Sequence, residues 1–198
     1  MTSTAMPYGT MPPPDVVEFL VHQHGRIRDL MMEVMALSGE PRKKAFRELV
    51  RLLSVHETAE EEVVHPVARR HLDAGDAIID DRLKEEHDAK QLLEQLDGMD
   101  PADPEFLPLF LRMRQAVITH AVYEQRYEFS YLRHKISTAE LAGLRGLAKA
   151  AESTAPTHPH PGVESPAANL LLGPPTAIMD RARDAIRAAR EKVSGSGG

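Results

Sequence analysis

His56-Glu57-Thr58-Ala59-Glu60 is answered, 64 residues further on, by His120-Ala121-Val122-Tyr123-Glu124, and these two stretches decide the fold. Four residues make about one helical turn, so the imidazole and carboxylate of each copy share a helix face, with Cβ atoms about 5–6 Å apart. The flanking residues continue both faces. Phe46, Leu49, Leu53, Val63, Val67 and His71 fall in step with His56 and Glu60; Phe110, Met113, Val117, Ala121, Tyr127 and Tyr131 fall in step with His120 and Glu124. Each copy therefore sits on the buried stripe of a long helix.

A further helix precedes each copy. From Asp15 onward, Val17, Leu20, Val21, His24, Ile27, Met31, Val34 and Met35 recur at three- and four-residue steps, and Asp15 with Glu18 forms a capped start. The third helix, roughly Ala77 to Leu96, has Ile79, Leu83, Leu93 and Leu96 on one face and His87 towards its edge. His87 follows His24 by 63 residues, so each helical hairpin supplies one His and then His-x-x-x-Glu. Breaks at Gly39-Glu40-Pro41, at Gly75 and from Gly98 to Pro104 separate the four helices. Long helices with short connections predict an all-α, up-down-up-down four-helix bundle over residues 15–135.

The remainder reads as appendages. Residues 1–14, with Pro12-Pro13-Pro14, form a disordered arm. Ser137 and Glu140 are spaced to cap a helix from about Thr138 to Ala151, with Leu141, Leu144 and Leu147 facing inward. A proline-rich segment containing Thr157-His158-Pro159-His160-Pro161 follows, then a short helix from Thr176 to about Glu191 suited to homodimer or partner contact, and a flexible end from Ser194.

Composition narrows the chemistry. With no cysteine, disulfides and thiolate ligation are excluded, so any metal must be held by nitrogen and oxygen. A net charge of -6 gives no electrostatic attraction for nucleic acid. The start lacks the basic, apolar pattern of a signal peptide and no stretch reaches the ~20 apolar residues needed to span a bilayer, so no membrane association is expected and the cytoplasm is the simplest compartment.

Glu60 and Glu124 lie in stripes otherwise made of Leu, Val, Phe and Ala, where an unpaired carboxylate is costly. No Lys or Arg occupies those stripes beside them, whereas a bound cation would supply the missing charge. A lone histidine on an apolar face is ordinarily a hydrogen-bonded core residue; four of them, aligned with two glutamates at a repeated spacing, are not explained that way. Imidazole with carboxylate suits iron, manganese, zinc or copper, and six ligands from four helices suit two ions better than one. The expected ligands are His24, His56, Glu60, His87, His120 and Glu124. His22, His65 and His134 are placed on solvated or intermediate faces, His71 near the end of an inner stripe, and Glu57, Glu61 and Glu62 on a solvated face, with Glu61 replacing Glu60 if the helix were rotated. A zinc-protease His-Glu-x-x-His is ruled out because position 60 is Glu, and Glu62-Val63-Val64-His65 is a single copy of the ferritin-like Glu-x-x-His.

These motifs resemble those of the hemerythrin-like, or HHE cation-binding, family: His24 in His-Gln-His-Gly-Arg-Ile-Arg, His56 and Glu60 in His-Glu-Thr-Ala-Glu-Glu-Glu-Val-Val-His-Pro, His87 in Glu-Glu-His-Asp, and His120 with Glu124 in His-Ala-Val-Tyr-Glu. The resemblance covers about residues 15 to 135. It implies two non-haem iron ions joined by an oxo or hydroxo bridge, with Glu60 and Glu124 as bridging carboxylates and the four histidines as terminal ligands; manganese or zinc would also fit. The chain departs from the family's oxygen carriers at Gln91, where they have a second histidine on the third helix, and at Glu124, where their carboxylate comes one residue later. Fewer imidazoles leave room for water or substrate, which favours reactivity over reversible oxygen carriage. Tyr127, on the stripe of His120 and Glu124, is the expected catalytic residue, as a hydrogen-bond donor to bound peroxide or an added ligand. The leading expectation is a di-iron redox enzyme that decomposes a small oxidant, hydrogen peroxide or nitric oxide. The alternative is an oxygen- or iron-binding sensor or store without turnover.

Overall fold

The computed structural model describes residues 13–155 and 157–159. Residues 1–12, the proline-rich run from 160 onward and the short C-terminal helix expected at 176–191 lie outside the described residues. Helix α1 spans Val16–Ala36, α2 Gly39–Ala59, α3 His65–His71, α4 Gly75–Asp97, α5 Phe106–Glu124, α6 Ser130–Lys135 and α7 Thr138–Thr154. A π-helical turn, Glu60–Val64, fuses α2 to α3, and a second, Gln125–Phe129, fuses α5 to α6. Four continuous rods therefore make the up-down-up-down bundle, and α7 packs against it. The described residues contain no strand.

Local chemistry starts α1 and α7 where the sequence predicts, whereas α2 begins within the expected break at Gly39 to Pro41 and α4 two residues before Ala77. Asp15 accepts a hydrogen bond from the Glu18 amide at 2.8 Å, and Ser137 accepts one from the Glu140 amide at 3.3 Å. Gly39 begins α2 with φ +59°, a left-handed conformation that glycine adopts without strain. The second helix ends at His71 rather than at Gly75, because Leu72 is already extended, and Gly75 begins α4.

Two apolar blocks form the core. One joins Val16, Val17, Leu20, Ala59, Val64, Ile79, Phe129 and Leu132 with Leu141, Leu144, Ala148 and Ala151 of α7. The other joins Ile27, Leu30, Met31, Leu49, Leu53, Leu93, Leu96, Phe106, Phe110 and Met113. Every rod places buried polar residues between them: His24 between Leu20 and Ile27, His56 and Glu60 between Leu53 and Val64, Glu86 between Ile79 and Leu93, His120 and Glu124 between Met113 and Phe129. Leu147, expected inward, is 59% exposed; Leu144, Ala148 and Ala151 carry the buried face of α7 instead. Among the described residues no helix is long and apolar enough to cross a membrane.

Candidate metal centre

The polar layer brings two sets of four side chains together, each with ligand atoms within 4.8 Å of one another: His24, His56, Glu60 and Glu124, and Glu60, Glu86, His120 and Glu124. Glu60 and Glu124 belong to both. None of these six residues is more than 6% exposed. Five of the six sequence-predicted ligands are thus drawn into one group. His87 is not: it lies at the half-buried edge of α4, where Gln91 Nε2 stands 2.9 Å from its Nε2. Glu86, one residue earlier, takes the inward position.

Helical geometry explains this exchange. Glu86 is seven residues after Ile79 and seven before Leu93, both fully buried, so it shares their stripe, whereas His87 is rotated by about 100°. The apolar anchors of α4 already carried that signal.

The π-helical turns reposition other residues. Each inserts about one extra residue into the α pattern, so the inner stripe jumps. After Glu124 the buried positions become Glu128, Phe129 and Leu132, which leaves Tyr127 at 41% exposure and Tyr131 exposed as well. The Tyr127 ring stands 5.9 Å from that of Tyr123, beside a groove of about 560 Å³ whose wall includes Arg82, Glu85 and Asp88. Tyr127 faces that groove rather than the buried carboxylates. After Glu60 the same shift buries Glu61 and His65, both expected on solvated or intermediate faces, and leaves His71 exposed. No residue-type signal announces a π turn, so His65 and Glu128 were hidden from helical periodicity.

His65 sits between two carboxylates, its Nε2 2.7 Å from Glu86 and its Nδ1 3.0 Å from Glu128. Together with Glu124 and Glu128 it forms a third close group. Lys90 supplies a charge that the stripes of α2 and α5 lack, reaching from α4 to hydrogen-bond Glu61 and to stand 3.7 Å from Glu57. That pairing leaves Glu60 and Glu124 without a lysine or arginine of their own.

The unpaired atoms point to what the group is built for. Both oxygens of Glu60, both of Glu124, one each of Glu86 and Glu128, and Nε2 of His24 and His120 are buried with no hydrogen-bond partner among the described residues. His24 Nε2 and His120 Nε2 each approach Glu124 to 3.3 Å, and His56 Nε2 approaches Glu60 to 3.2 Å. On the outer side each imidazole uses Nδ1: His56 donates to Gln23 at 2.7 Å, His120 donates to Glu85 at 3.1 Å, and His24 meets Gln125 at 2.8 Å. An outer Nδ1–H donated to an oxygen with the inner Nε2 convergent, as in His56 and His120, is the arrangement that metal-binding histidines use. The ring of Phe129 stacks on His24, with centroids 5.9 Å apart, and closes that side with apolar surface.

With protons alone to balance charge, the group divides. Burial, and then the charge of His24, lowers His56 to about 3 and keeps it neutral. Burial also opposes charge on His120, but Glu124, Glu85 and Glu86 outweigh it and raise this imidazole to about 9. Burial followed by repulsion from Glu124 holds Glu60 well above the usual carboxylate range. Burial works against ionised Glu86 too, yet His65 and His120 bring it down to about 2. Bound protons on Glu60 and His120 stand where a cation would neutralise the same carboxylates.

Comparison with known proteins agrees with this geometry. The hemerythrin HHE cation-binding domain family matches residues 15–132. A protein named DNA nickase from Nostoc sp. (strain PCC 7120) is 29% identical over 132 residues, which cover 66% of this chain and 37% of that protein, so the chain spans well under half of its relative. A crystal structure of a hemerythrin HHE cation-binding domain-containing protein from Mycobacterium kansasii superposes with a TM-score of 0.63 at 21% identity, covering 70% of this chain and 85% of that one. The last match supports the fold.

Proposed function

This chain belongs to the hemerythrin HHE cation-binding domain family, and from that premise we propose that it holds two iron ions in the buried layer and decomposes a small oxidant, hydrogen peroxide or nitric oxide. The convergent, unpartnered oxygens of Glu60, Glu124 and Glu86, with Nε2 of His24 and His120 beside them, carry the reading, since bound cations would satisfy all of these acceptors at once. His24 and His56 would serve one ion, Glu86 and His120 the other, and Glu60 and Glu124 both. Manganese or zinc would suit the same donors. A pair of adjacent irons supplies two-electron chemistry, as the conversion of two peroxide molecules into one dioxygen and two water molecules requires.

The protein contributes position, exclusion and proton handling. Four donor side chains per ion leave coordination positions for a small ligand. The apolar blocks on either side of the layer suit a small ligand. Glu85, at the wall of the 560 Å³ groove, bonds His120 Nδ1 and so joins the buried layer to the surface. Tyr127, on the same wall, suits electron or proton exchange at the groove better than contact with a bound oxidant. The partners we infer are therefore small molecules. The net charge of -6 argues against a nucleic-acid substrate, and the activity named for the Nostoc relative belongs to a much longer protein.

Purified protein loaded with Fe(II) under anaerobic conditions tests the proposal on an oxygen electrode with peroxide and on a nitric oxide electrode. Turnover that disappears in His120→Ala is the expected result. A stable dioxygen adduct with no turnover would favour the binding alternative, and activity unchanged in His120→Ala would reject the site.

A further inference from the structure

We infer that α7, which follows the matched family segment, fixes the tautomer of His56 through Gln23, making Gln23 and Glu152 positioning residues for the centre. The inference rests on the metal reading above. Gln23, on α1 and nine-tenths buried, spans two partners: its side-chain oxygen accepts from His56 Nδ1 at 2.7 Å, and its amide nitrogen donates to Glu152 of α7 at 2.6 Å.

The direction of these bonds follows from donor chemistry. An ionised carboxylate only accepts, so Glu152 obliges Gln23 to turn its NH₂ group outward. The amide oxygen must then face His56, and an oxygen accepts only if Nδ1 carries the proton. His56 Nε2, 3.2 Å from Glu60, is left as a bare lone pair aimed into the group, the form a metal needs. Without Glu152 the Gln23 amide is free to rotate by half a turn. Its NH₂ would then donate to Nδ1, place the proton on Nε2 and block the ligand atom.

The histidine beside it shows the contrast. His24 Nδ1 also meets a glutamine amide, but there the nitrogen of Gln125 faces the ring, which puts the imidazole proton on Nε2 against Glu124. The two glutamines thus hold opposite orientations: ligation by His24 requires the Gln125 amide to turn over, whereas α7 already holds Gln23 in the ligating orientation. Leu141, Leu144, Ala148 and Ala151 seat α7 in the same apolar block as Val16, Val17 and Leu20 of α1, so Glu152 is held by packing and not only by its own hydrogen bond.

Two measurements on the full chain test this. In metal-free protein, ¹⁵N spectra of the histidine rings should show the Nδ1–H form for His56; Glu152→Ala and Gln23→Met should shift it towards Nε2–H or a mixture, while Glu152→Asp, which retains an acceptor-only carboxylate, should preserve it. In competition with a chelator, Zn(II) should bind about 10–100-fold more weakly at one of its two positions in Glu152→Ala and Gln23→Met, with the other position and the Glu152→Asp variant unchanged. The inference is overturned if Glu152→Ala unfolds as cooperatively as the parent and keeps both the His56 tautomer and zinc affinity within twofold. A parent protein that takes up no zinc defeats the metal reading and this inference together. Two zinc ions bound with equal affinity in parent and variants defeat the inference alone.

Discussion

Replacing Glu60 with leucine should stabilise the metal-free protein while ending metal binding. Glu60 is fully buried and neither of its oxygens has a hydrogen-bond partner among the described residues. Leaving such a group unsatisfied costs about 1–3 kcal/mol, and leucine is of similar volume. A second term depends on pH. Burial and the nearby Glu124 raise this carboxyl well above its ordinary 4.5. Above pH 4.5 the unfolded chain releases the proton while the folded chain retains it, so stability falls as pH rises, by about 1.4 kcal/mol per pH unit until the folded group ionises. Below 4.5 both forms are protonated and this term vanishes. Urea unfolding followed by circular dichroism in chelator should therefore show Glu60→Leu ahead by about 1–3 kcal/mol at pH 4.5, with the lead widening by about 1.4 kcal/mol per pH unit above it. Saturating metal should reverse the order, because each ion at 1,000 times its Kd adds about 4.1 kcal/mol to the parent alone. If Glu60→Leu is the weaker protein in chelator at every pH, or the gap ignores pH, protein groups already balance Glu60 and the charge argument fails.

Other substitutions separate site from scaffold. Glu86→Ala should lower the metal content from two ions to one by elemental analysis, while His87→Ala should keep two. Lys90→Met leaves Glu57 and Glu61 buried without their cation and should cost about 3–5 kcal/mol in urea unfolding, with recovery when Glu61→Gln is added. Gly75→Ala should cost about 1–3 kcal/mol by the same assay, since its Cβ would stand 2.5 Å from the Arg69 carbonyl oxygen, whereas Gly25→Ala, with open space around it inside α1, should be neutral or stabilising by up to about 1 kcal/mol.

What the sequence could convey and what it could not divide at the two π-helical turns. Up to Glu60 and up to Glu124 the chain follows a simple 3.6-residue stripe, so the four rods, the caps at Asp15 and Ser137, and the convergence of His24, His56, Glu60, His120 and Glu124 were all open to periodicity. Glu86 was equally open, because Ile79 and Leu93 bracket it, and it was passed over for the more ligand-like His87. Beyond Glu60 and Glu124 the stripe jumps, and the same arithmetic then places Tyr127 inside and His65 and Glu128 outside, the reverse of what is found. Both jumps follow directly after the two carboxylates that the close groups share. A π turn sacrifices regular hydrogen bonding, so its repetition at the equivalent place in both hairpins implies a common gain. Here that gain is local: the extra residue turns His65 and Glu128 inward, so that His65 bonds both Glu128 and Glu86 and adds a buried imidazole to a layer already crowded with carboxylates. The irregular backbone and the excess of buried charge are thus two sides of one arrangement, and neither would persist in a bundle selected for packing alone.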